Sequence, residues 1–295
     1  MPAVAFWRRS VWNQVAEAIA TSLGKTFTIA SQRSLSGGSI NQTFMISGDG
    51  QRYFVKANND PIAEAMFKAE QLGLEELQST KSIRIPQPIC SGKVENTAFL
   101  VLEWLPLGSS GNWEAMGQAL ATLHRTESKK GFGWHRSNTI GSTPQHNPWT
   151  EDWPVFFGEH RLGFQLRLAE EKGYRIVDGE RLLEMLPKLL DHNPKPSLLH
   201  GDLWSGNAGF ADGEPSIFDP AIYYGDRETD LAMTELFGGF PAAFYTGYQS
   251  IYPLDSGYED RKAIYNLYHI LNHLNLFGGG YLSQANRMIQ QILHF

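Results

Sequence analysis

The spacing of hydrophobic residues divides the chain into two predicted parts, a first part with mostly short, strand-like apolar runs and a second part with mostly helical spacing. Residues 11–23 place apolar side chains three or four positions apart, which predicts an amphipathic helix that ends at Gly24. Short apolar runs follow, and the Gly48-Asp49-Gly50 turn between two of them predicts a β-hairpin. Asp60-Pro61 predicts the start of a second helix, because aspartate N-caps and first-turn prolines are typical of helix N-termini. The first part is therefore predicted to be mainly β, with this second helix as its main helix.

Helical spacing dominates the rest of the chain. It begins at Trp113 and predicts further helices at about 152–171, 180–192, 242–251, 258–277 and from residue 282. Between the two parts, Glu103-Trp104-Leu105-Pro106 breaks the strand pattern, and we expect a hinge there, although a plain loop is the alternative. The predicted fold is α+β and bilobal, with a small β-rich N-terminal lobe of residues 1–103 and a larger, mainly helical C-terminal lobe of residues 104–295.

One long stretch, residues 131–149, lacks periodicity. It is polar and rich in glycine, proline and aromatic residues. Long connections without secondary structure are usually functional or disordered in compact domains, and the aromatic residues argue against disorder. We therefore interpret this stretch as a loop that faces the substrate.

The composition narrows the class of protein. Of the 295 residues, 42% are hydrophobic and 19% are charged, as in a globular protein with a sizeable core, and the net charge of −6 argues against a nucleic-acid partner. The sequence contains no run of about 18 apolar residues, so it predicts no membrane span. Arg8 and Arg9 follow the apolar start instead of preceding it, unlike a signal peptide. The single cysteine, Cys90, excludes an intramolecular disulfide, and we expect a cytoplasmic location.

The segment His200-Gly201-Asp202-Leu203-Trp204-Ser205-Gly206-Asn207 carries the main candidate chemistry. With Asp219 at the end of the next apolar run, it follows the kinase pattern H-x-D-x-x-x-x-N and a later aspartate. In that pattern the first aspartate accepts the proton of the attacking hydroxyl, and the asparagine and second aspartate hold Mg²⁺. These roles fall to Asp202, Asn207 and Asp219. A polar turn is the alternative, but the apolar runs on both sides favour phosphoryl transfer.

Lys56 and Glu70 are the candidates for holding the nucleotide phosphates. Lys56 ends an apolar strand, and Glu70 borders the apolar stripe of the following helix. A strand lysine that reaches the phosphates of ATP, oriented by a helix glutamate, is the kinase arrangement. The alternative is a surface lysine beside one of several exposed glutamates, among which Glu64, Glu75 and Glu76 compete with Glu70.

Two further segments are predicted to contact ATP. The glycine-rich segment Ser36-Gly37-Gly38-Ser39-Ile40-Asn41 lies one strand pair before Lys56, so Gly37, Gly38, Ser39 and Asn41 are candidates for covering the phosphates. An ordinary hairpin loop is the alternative. Backbone groups of Glu103, Trp104 and Leu105 are candidates for hydrogen bonds to the adenine edge.

Taken together, these motifs resemble the fructosamine kinase (ketosamine-3-kinase) family, within the aminoglycoside- and choline-kinase-like group that shares the protein-kinase fold. The resemblance extends nearly end to end. Beyond the segments above, its carriers are Phe218-Asp219-Pro220-Ala221, Tyr224-Gly225-Asp226-Arg227-Glu228-Thr229-Asp230-Leu231-Ala232-Met233 and Leu271-Asn272-His273-Leu274-Asn275-Leu276-Phe277-Gly278-Gly279-Gly280. Trp204 stands where protein kinases have lysine, and no Ala-Pro-Glu segment follows Asp219, so the chain departs from protein kinases.

The resemblance implies ATP- and Mg²⁺-dependent phosphorylation of a ketosamine at the third hydroxyl of its sugar. The product decomposes and frees the amine, as in deglycation repair, and the sugar could be that of a ribulosamine, erythrulosamine or fructosamine. By motif, Trp134, Trp204 and Asp226 are candidates for recognising the cationic amine. Two alternatives stay open, a kinase of the same fold for another small alcohol, such as an aminoglycoside or choline, and a nucleotide-binding pseudokinase scaffold. The sequence leaves the oligomeric state open.

Overall fold

A computed structural model describes residues 9–36 and 40–294. The chain divides into two compact units, one formed by Met1–Gln78 with Ile85–Pro106 and the other by Ser79–Arg84 with Leu107–Phe295. The first is rich in β-strands and the second is mainly helical, which confirms the predicted α+β class. A lobe boundary directly after residue 103 stays a prediction.

The first unit is built on an antiparallel sheet. Its elements are α1 (Arg9–Leu23), β1 (Ser31–Leu35), β2 (Gln42–Gly48), β3 (Gln51–Asn58), α2 (Ala63–Ser79), β4 (Pro88–Val94) and β5 (Thr97–Glu103). The strand order is β1-β2-β3-β5-β4, and all neighbours are antiparallel. The core of α1 and the sheet includes Trp12, which contacts Phe44 of β2 edge to face at 5.2 Å.

Local sequence signals account for most of these boundaries. Asp49 and Gly50 connect β2 to β3 with φ values of 50° and 74°, the two positive values that a type I′ hairpin turn requires, so the predicted hairpin is confirmed. The predicted start of the second helix at Asp60-Pro61 is wrong by a few residues, because α2 begins at Ala63. Asp60 instead begins the turn that leads into α2, and its Oδ1 accepts a hydrogen bond of 3.0 Å from the Ile62 N–H.

The second unit contains eight α-helices among the described residues. They are α3 (Trp113–Leu123), α4 (Trp153–Phe157), α5 (Gly163–Glu171), α6 (Gly179–Leu189), α7 (Glu228–Leu236), α8 (Ala242–Ile251), α9 (Tyr258–Phe277) and α10 (Leu282–Leu293). A π-helical segment, Gly158–Leu162, joins α4 to α5. The longest helix, α9, is buried along most of its length, and residues of α5, α7 and α10 lie close to it. None of the described helices is long and apolar enough to cross a membrane.

Short antiparallel strands position the loops of the second unit. They are β6 (Leu107–Gly108), β7 (Asn138–Ile140), β8 (Thr143–Gln145), β9 (Ser197–Leu199), β10 (Ala208–Ala211), β11 (Glu214–Ile217) and β12 (Tyr223–Gly225). β10 pairs with β11 and β6, β9 pairs with β12, and β7 pairs with β8. The prediction that residues 131–149 lack secondary structure is therefore wrong, since β7 and β8 form a hairpin there. Strands of three residues are too short to show a period in the sequence.

Buried histidines make the helical unit sensitive to acid, and His269 of α9 is the clearest case. Its ring is 1% exposed, neither ring nitrogen has a hydrogen-bond partner among the described residues, and burial lowers its pKa to about 3. Below pH 6.5 the unfolded chain binds a proton at this residue that the native protein does not bind until pH approaches 3. The free energy of unfolding should therefore fall by about 1.4 kcal/mol per pH unit in this window because of His269 alone.

We expect the His269→Leu variant to lose less stability than the wild type between pH 7 and pH 4. Chemical denaturation at several pH values measures this difference. The matched control is His135→Leu, because His135 is exposed and its removal should leave the pH dependence unchanged. Equal acid sensitivity of wild type and His269→Leu would contradict the prediction.

Candidate active site

The predicted catalytic turn follows β9 and is closed by a glycine. Gly201 has a φ of +81°, and a Cβ atom at this position would lie 2.1 Å from the Ala221 carbonyl oxygen. Only glycine fits a backbone that is both left-handed and in such close contact. The Asp202 N–H donates to His200 Nδ1 at 3.2 Å, so the turn places Asp202 directly beside the His200 ring.

His200 links the Asp202 turn to the segment that carries Asp219. Because Nδ1 accepts the Asp202 N–H, the proton of the neutral ring is on Nε2, which donates to the Phe218 carbonyl oxygen at 2.9 Å. Burial lowers the pKa of His200, which keeps the ring neutral. The Ala221 N–H donates in turn to the His200 carbonyl oxygen at 2.8 Å. One buried histidine therefore ties both predicted acidic segments together.

Asp230 of α7 holds this turn through hydrogen bonds to its backbone. Its carboxylate accepts the N–H groups of His200 at 2.7 Å and Gly201 at 2.8 Å, and His124 Nε2 lies 3.2 Å from the same carboxylate. Burial by itself would raise the pKa of Asp230, but the hydrogen bonds and nearby histidines hold it below its ordinary value, so the group stays a carboxylate. The sequence analysis assigned no role to Asp230 or His124, because each depends on residues distant in the chain.

Asn207 brings the predicted base and metal ligands together. It ends a short 3₁₀ helix, Ser205–Asn207, and its Nδ2 donates to the Asp202 carbonyl oxygen at 2.9 Å and to Asp202 Oδ2 at 3.2 Å. Its own carbonyl oxygen accepts the Phe218 N–H at 3.0 Å. Asp202, Asn207 and the segment of Asp219 thus form one hydrogen-bonded cluster.

The donor chemistry of this cluster fits Mg²⁺. Because Nδ2 of Asn207 is directed at Asp202, its Oδ1 is the atom suited to a metal, and Asp219 adds a carboxylate in a half-buried position. Mg²⁺ prefers such oxygen ligands and usually binds through one or two protein groups together with substrate phosphates. Asn207 and Asp219 are therefore the residues that would hold it.

The first unit contains a buried ion pair. Lys56 of β3 donates through Nζ to Glu70 Oε1 of α2 at 2.7 Å, and the two side chains are 6% and 12% exposed. The pair therefore joins the sheet to its main helix, and it shows that Glu70 is the candidate glutamate that contacts Lys56. A lysine held in this way is pre-positioned for phosphate oxygens, although contact with ATP stays a prediction.

Of the other predicted nucleotide contacts, Asn41 directly precedes β2 and Glu103 is the last residue of β5. Asn41 Oδ1 accepts a hydrogen bond of 2.9 Å from Asn58 Nδ2, while Gly37, Gly38 and Ser39 lie outside the described residues. The Glu103 N–H donates to the Gln87 carbonyl oxygen at 2.8 Å, and Glu103 Oε2 accepts the Gln87 N–H at 3.2 Å. This N–H is therefore engaged within the first unit. An adenine contact would fall to the other backbone groups of segment 103–105.

Exposure separates the three predicted substrate residues. Trp134 is 2% exposed and lies in the core. Asp226 is equally buried, and its carboxylate accepts hydrogen bonds from Tyr265 Oη and the Glu228 N–H and lies 2.8 Å from His192 Nε2. Trp204 is 38% exposed in the catalytic loop. Substrate contact stays a prediction for all three, but the interior positions of Trp134 and Asp226 favour Trp204.

An aromatic cluster that the sequence analysis missed extends from Trp204. The Phe237 ring lies 6.4 Å from the Trp204 ring, and the His273 ring lies 4.8 Å from Phe237. Phe277 and Tyr281 contact His273 at 5.4 and 5.3 Å. These residues come from the residue after α7, from α9 and from the turn after α9, so no local pattern could have linked them. The cluster is joined to the catalytic loop through Trp204.

Comparison with known proteins gives consistent matches over the whole chain. The sequence model of the family described as fructosamine kinase matches residues 11–295. A Synechocystis protein named "Probable ketoamine kinase" is 52% identical over 96% of this chain and 97% of its own length. A chloroplastic protein-ribulosamine 3-kinase of Oryza sativa subsp. indica is 43% identical over 92% of this chain and 81% of its own length.

Solved structures match the fold equally well. The crystal structure of a Haemophilus somnus protein assigned to the fructosamine-3-kinases has a TM-score of 0.90 and 34% identity, covering 96% of this chain and all of that one. An aminoglycoside phosphotransferase with a TM-score of 0.64 and 14% identity, over 95% of this chain and 98% of that chain, shares the fold alone. The predicted kinase-like fold is confirmed.

Proposed function

Because the chain belongs to the fructosamine kinase family, as its motifs predict, we propose that it transfers the γ-phosphate of ATP to a sugar hydroxyl of a ketosamine. The observation that carries this proposal is the cluster in which Asn207 Nδ2 bonds Asp202 and the Asn207 carbonyl oxygen bonds the segment of Asp219. The relatives named above are ketoamine and protein-ribulosamine kinases, which makes a ketosamine the acceptor class. The name of the rice relative favours the third hydroxyl of a ribulosamine.

The proposed roles follow from the chemistry of phosphoryl transfer, which requires positioning and charge neutralisation more than covalent work. Asp202 orients the attacking hydroxyl and accepts its proton late in the reaction. Asn207 and Asp219 hold Mg²⁺, which when bound neutralises charge on the phosphate oxygens. Lys56, oriented by Glu70, donates to phosphate oxygens of ATP. The phosphorylated ketosamine then decomposes and frees the amine, which gives the enzyme a role in deglycation.

Trp204 is proposed to contact the substrate. Its exposed ring lies in the loop of Asp202, and a Cβ atom at Gly206 would come within 2.3 Å of the ring, so the loop backbone packs closely against it. A rigid aromatic face of this kind binds cations such as the secondary ammonium of a ketosamine. The aromatic cluster of Phe237 and His273 extends from the Trp204 ring.

We expect Trp204→Leu to raise KM for the ketosamine about 2- to 30-fold, because a cation over an aromatic face contributes about 0.5–2 kcal/mol. KM for ATP should change little. The matched control is Tyr252→Leu, because Tyr252 is an aromatic residue at the end of α8 whose ring lies over Arg227, and it belongs neither to the loop of Asp202 nor to the aromatic cluster. An unchanged KM for the ketosamine would remove Trp204 from the substrate site.

The proposed function is tested by coupled ATP consumption with ribulose-lysine, fructose-lysine and an aminoglycoside in parallel. We expect turnover with the ketosamines, fastest with ribulose-lysine, and none with the aminoglycoside. Chelation of Mg²⁺ should abolish the activity, and added Mg²⁺ should restore it. Turnover of the aminoglycoside alone would assign the protein to another substrate class. ATP binding without turnover of any ketosamine would indicate a pseudokinase.

We also propose a cytoplasmic location, where ATP, Mg²⁺ and glycated amines occur together. The one cysteine, Cys90, is a partly buried thiol of β4 whose pKa burial raises to about 12, so it is not a reactive thiolate. Fractionation of cells that express the protein tests the location. Recovery in a membrane or extracellular fraction would contradict it.

A further inference from the structure

The backbone at Asp219 adopts an unusual conformation that its neighbours must hold. Asp219 has a φ of 57°, in the left-handed region that side chains other than glycine rarely adopt. Before it, Phe218 is bonded through its N–H to Asn207 and through its carbonyl oxygen to His200. After it, the Ala221 N–H is bonded to His200. These bonds hold the segment from the side of the catalytic turn.

The opposite side of the same segment is held by the β7–β8 hairpin. Gln145, the last residue of β8, donates through Nε2 to the Ala221 carbonyl oxygen at 2.9 Å. Asn138, the first residue of β7, donates through Nδ2 to the Ile222 carbonyl oxygen at 2.8 Å. The hairpin therefore bonds two consecutive carbonyl groups just after Asp219. The stretch that lacked periodicity in the sequence contributes these contacts.

The amide of Gln145 is oriented without ambiguity. The residue is 1% exposed, and Nε2 donates to Asn138 Oδ1 at 2.8 Å as well as to Ala221, while Oε1 accepts the Tyr268 hydroxyl of α9 at 2.8 Å. Rotation of the amide would place its oxygen against two acceptors, so one orientation alone satisfies all three bonds. Gln145 thus connects α9 rigidly to the backbone after Asp219.

A buried arginine fixes the hairpin in turn. Arg161 of the π-helical segment donates through Nη2 to Asn147 Oδ1 at 2.6 Å and through Nη1 to the His146 carbonyl oxygen at 2.8 Å. Its guanidinium lies 3.9 Å from the centre of the Tyr223 ring. Asn147 Nδ2 donates to Asn138 Oδ1 at 2.9 Å. The hairpin is therefore a rigid support and not an adjustable loop.

We propose that Gln145 is a positioning residue that sets the carboxylate of Asp219 for Mg²⁺, an inference that rests on the proposed function. The physical reason is that the backbone on the two flanks of Asp219 sets the direction of its carboxylate, and Gln145 supplies the bond at Ala221 on the hairpin side. Residues that orient metal ligands from outside the ligand set typically change metal affinity or activity about 10- to 100-fold when they are replaced.

The test measures the affinity of the protein for Mn²⁺, a paramagnetic substitute for Mg²⁺, in the presence of ADP. Electron paramagnetic resonance detects the free Mn²⁺. Gln145→Met keeps the side-chain length and removes the three hydrogen bonds. We expect it to weaken Mn²⁺ binding about 10- to 100-fold. The matched control is Gln78→Met, because Gln78 is a half-buried glutamine of α2 in the first unit whose amide donates to a backbone carbonyl oxygen, that of Ile85, at 3.2 Å. The control should lose stability and keep the wild-type affinity for Mn²⁺.

The outcomes separate this inference from the proposed function. Equal Mn²⁺ affinities of Gln145→Met and Gln78→Met would overturn the positioning role, even if wild type phosphorylates ketosamines. Wild type that binds Mn²⁺ and ADP but phosphorylates no ketosamine would overturn the proposed function and leave the Gln145 comparison valid.

A milder pair of variants covers the case in which Gln145→Met does not fold. Tyr268→Phe removes the bond to Gln145 Oε1 and leaves the two bonds of Gln145 Nε2 in place, and we expect Mn²⁺ binding to weaken severalfold. Tyr265→Phe is its control, because Tyr265 is a buried tyrosine of the same helix whose hydroxyl bonds Asp226 instead. Wild-type affinity for Mn²⁺ in Tyr268→Phe would count against the proposal.

Discussion

Replacement of Asp202 by asparagine is expected to lower turnover about 10²- to 10⁴-fold while ATP binding persists, because the variant loses the proton acceptor and keeps the shape. Asn207 Nδ2 lies 3.2 Å from Asp202 Oδ2, and the amide oxygen of an asparagine at position 202 could accept the same bond. The fold of the turn should therefore survive. Steady-state kinetics with ribulose-lysine measure turnover, and calorimetry with ADP measures nucleotide binding.

The matched control for this variant is Asp212→Asn. Asp212 is exposed in the turn between β10 and β11 with a φ of 53°, a conformation that asparagine also tolerates. We expect wild-type kinetics from it. If Asp202→Asn kept near-normal turnover, Asp202 would not be the base and the assignment of the whole cluster would fail.

Replacement of Lys56 by methionine should lower kcat/KM for ATP about 10²- to 10³-fold, the range observed for loss of one donor that stabilises developing charge. The same change removes the cation that balances the buried Glu70 carboxylate, which should destabilise the protein by about 3–5 kcal/mol. Activity and stability would then fall together in the single variant. Kinetics and thermal unfolding measure the two losses separately.

The double variant Lys56→Met/Glu70→Gln distinguishes these two effects. The neutral amide removes the buried negative charge that Lys56 had balanced, so stability should largely return, whereas activity should stay low because the cation is still missing. Lys68→Met, an exposed lysine of the same α2 helix, is the control and should be unaffected. Recovery of activity in the double variant would show that Lys56 serves the fold and not the nucleotide.

Several features could be predicted because their causes are local. The hairpin at Asp49-Gly50 requires only two adjacent residues that tolerate positive φ. The kinase pattern from His200 to Asn207 lies within one loop, so its spacing can be recognised in the sequence. The Lys56–Glu70 pair joins one strand to the next helix along the chain. The family resemblance rests on such local motifs.

Other features depend on contacts between distant residues. Trp134 and Asp226 are buried, and residue type alone does not distinguish a core position from a ligand contact. Asp230 supports the catalytic turn from about thirty residues away, and Gln145 reaches Ala221 from a hairpin whose strands are too short to show a period. No sequence window contains either pair.

The order of residues along the chain was thus sufficient for the class of fold and the type of chemistry, and it predicts the base and the metal ligands, since each of these rests on neighbours that interact within a turn or a strand. Which side chains face solvent, which hold the Asp219 backbone and which surround Trp204 depend on packing between segments far apart in sequence. Burial and hydrogen bonding across such distances are properties of the folded chain, and they assign Gln145, Asp230 and His200 their positions.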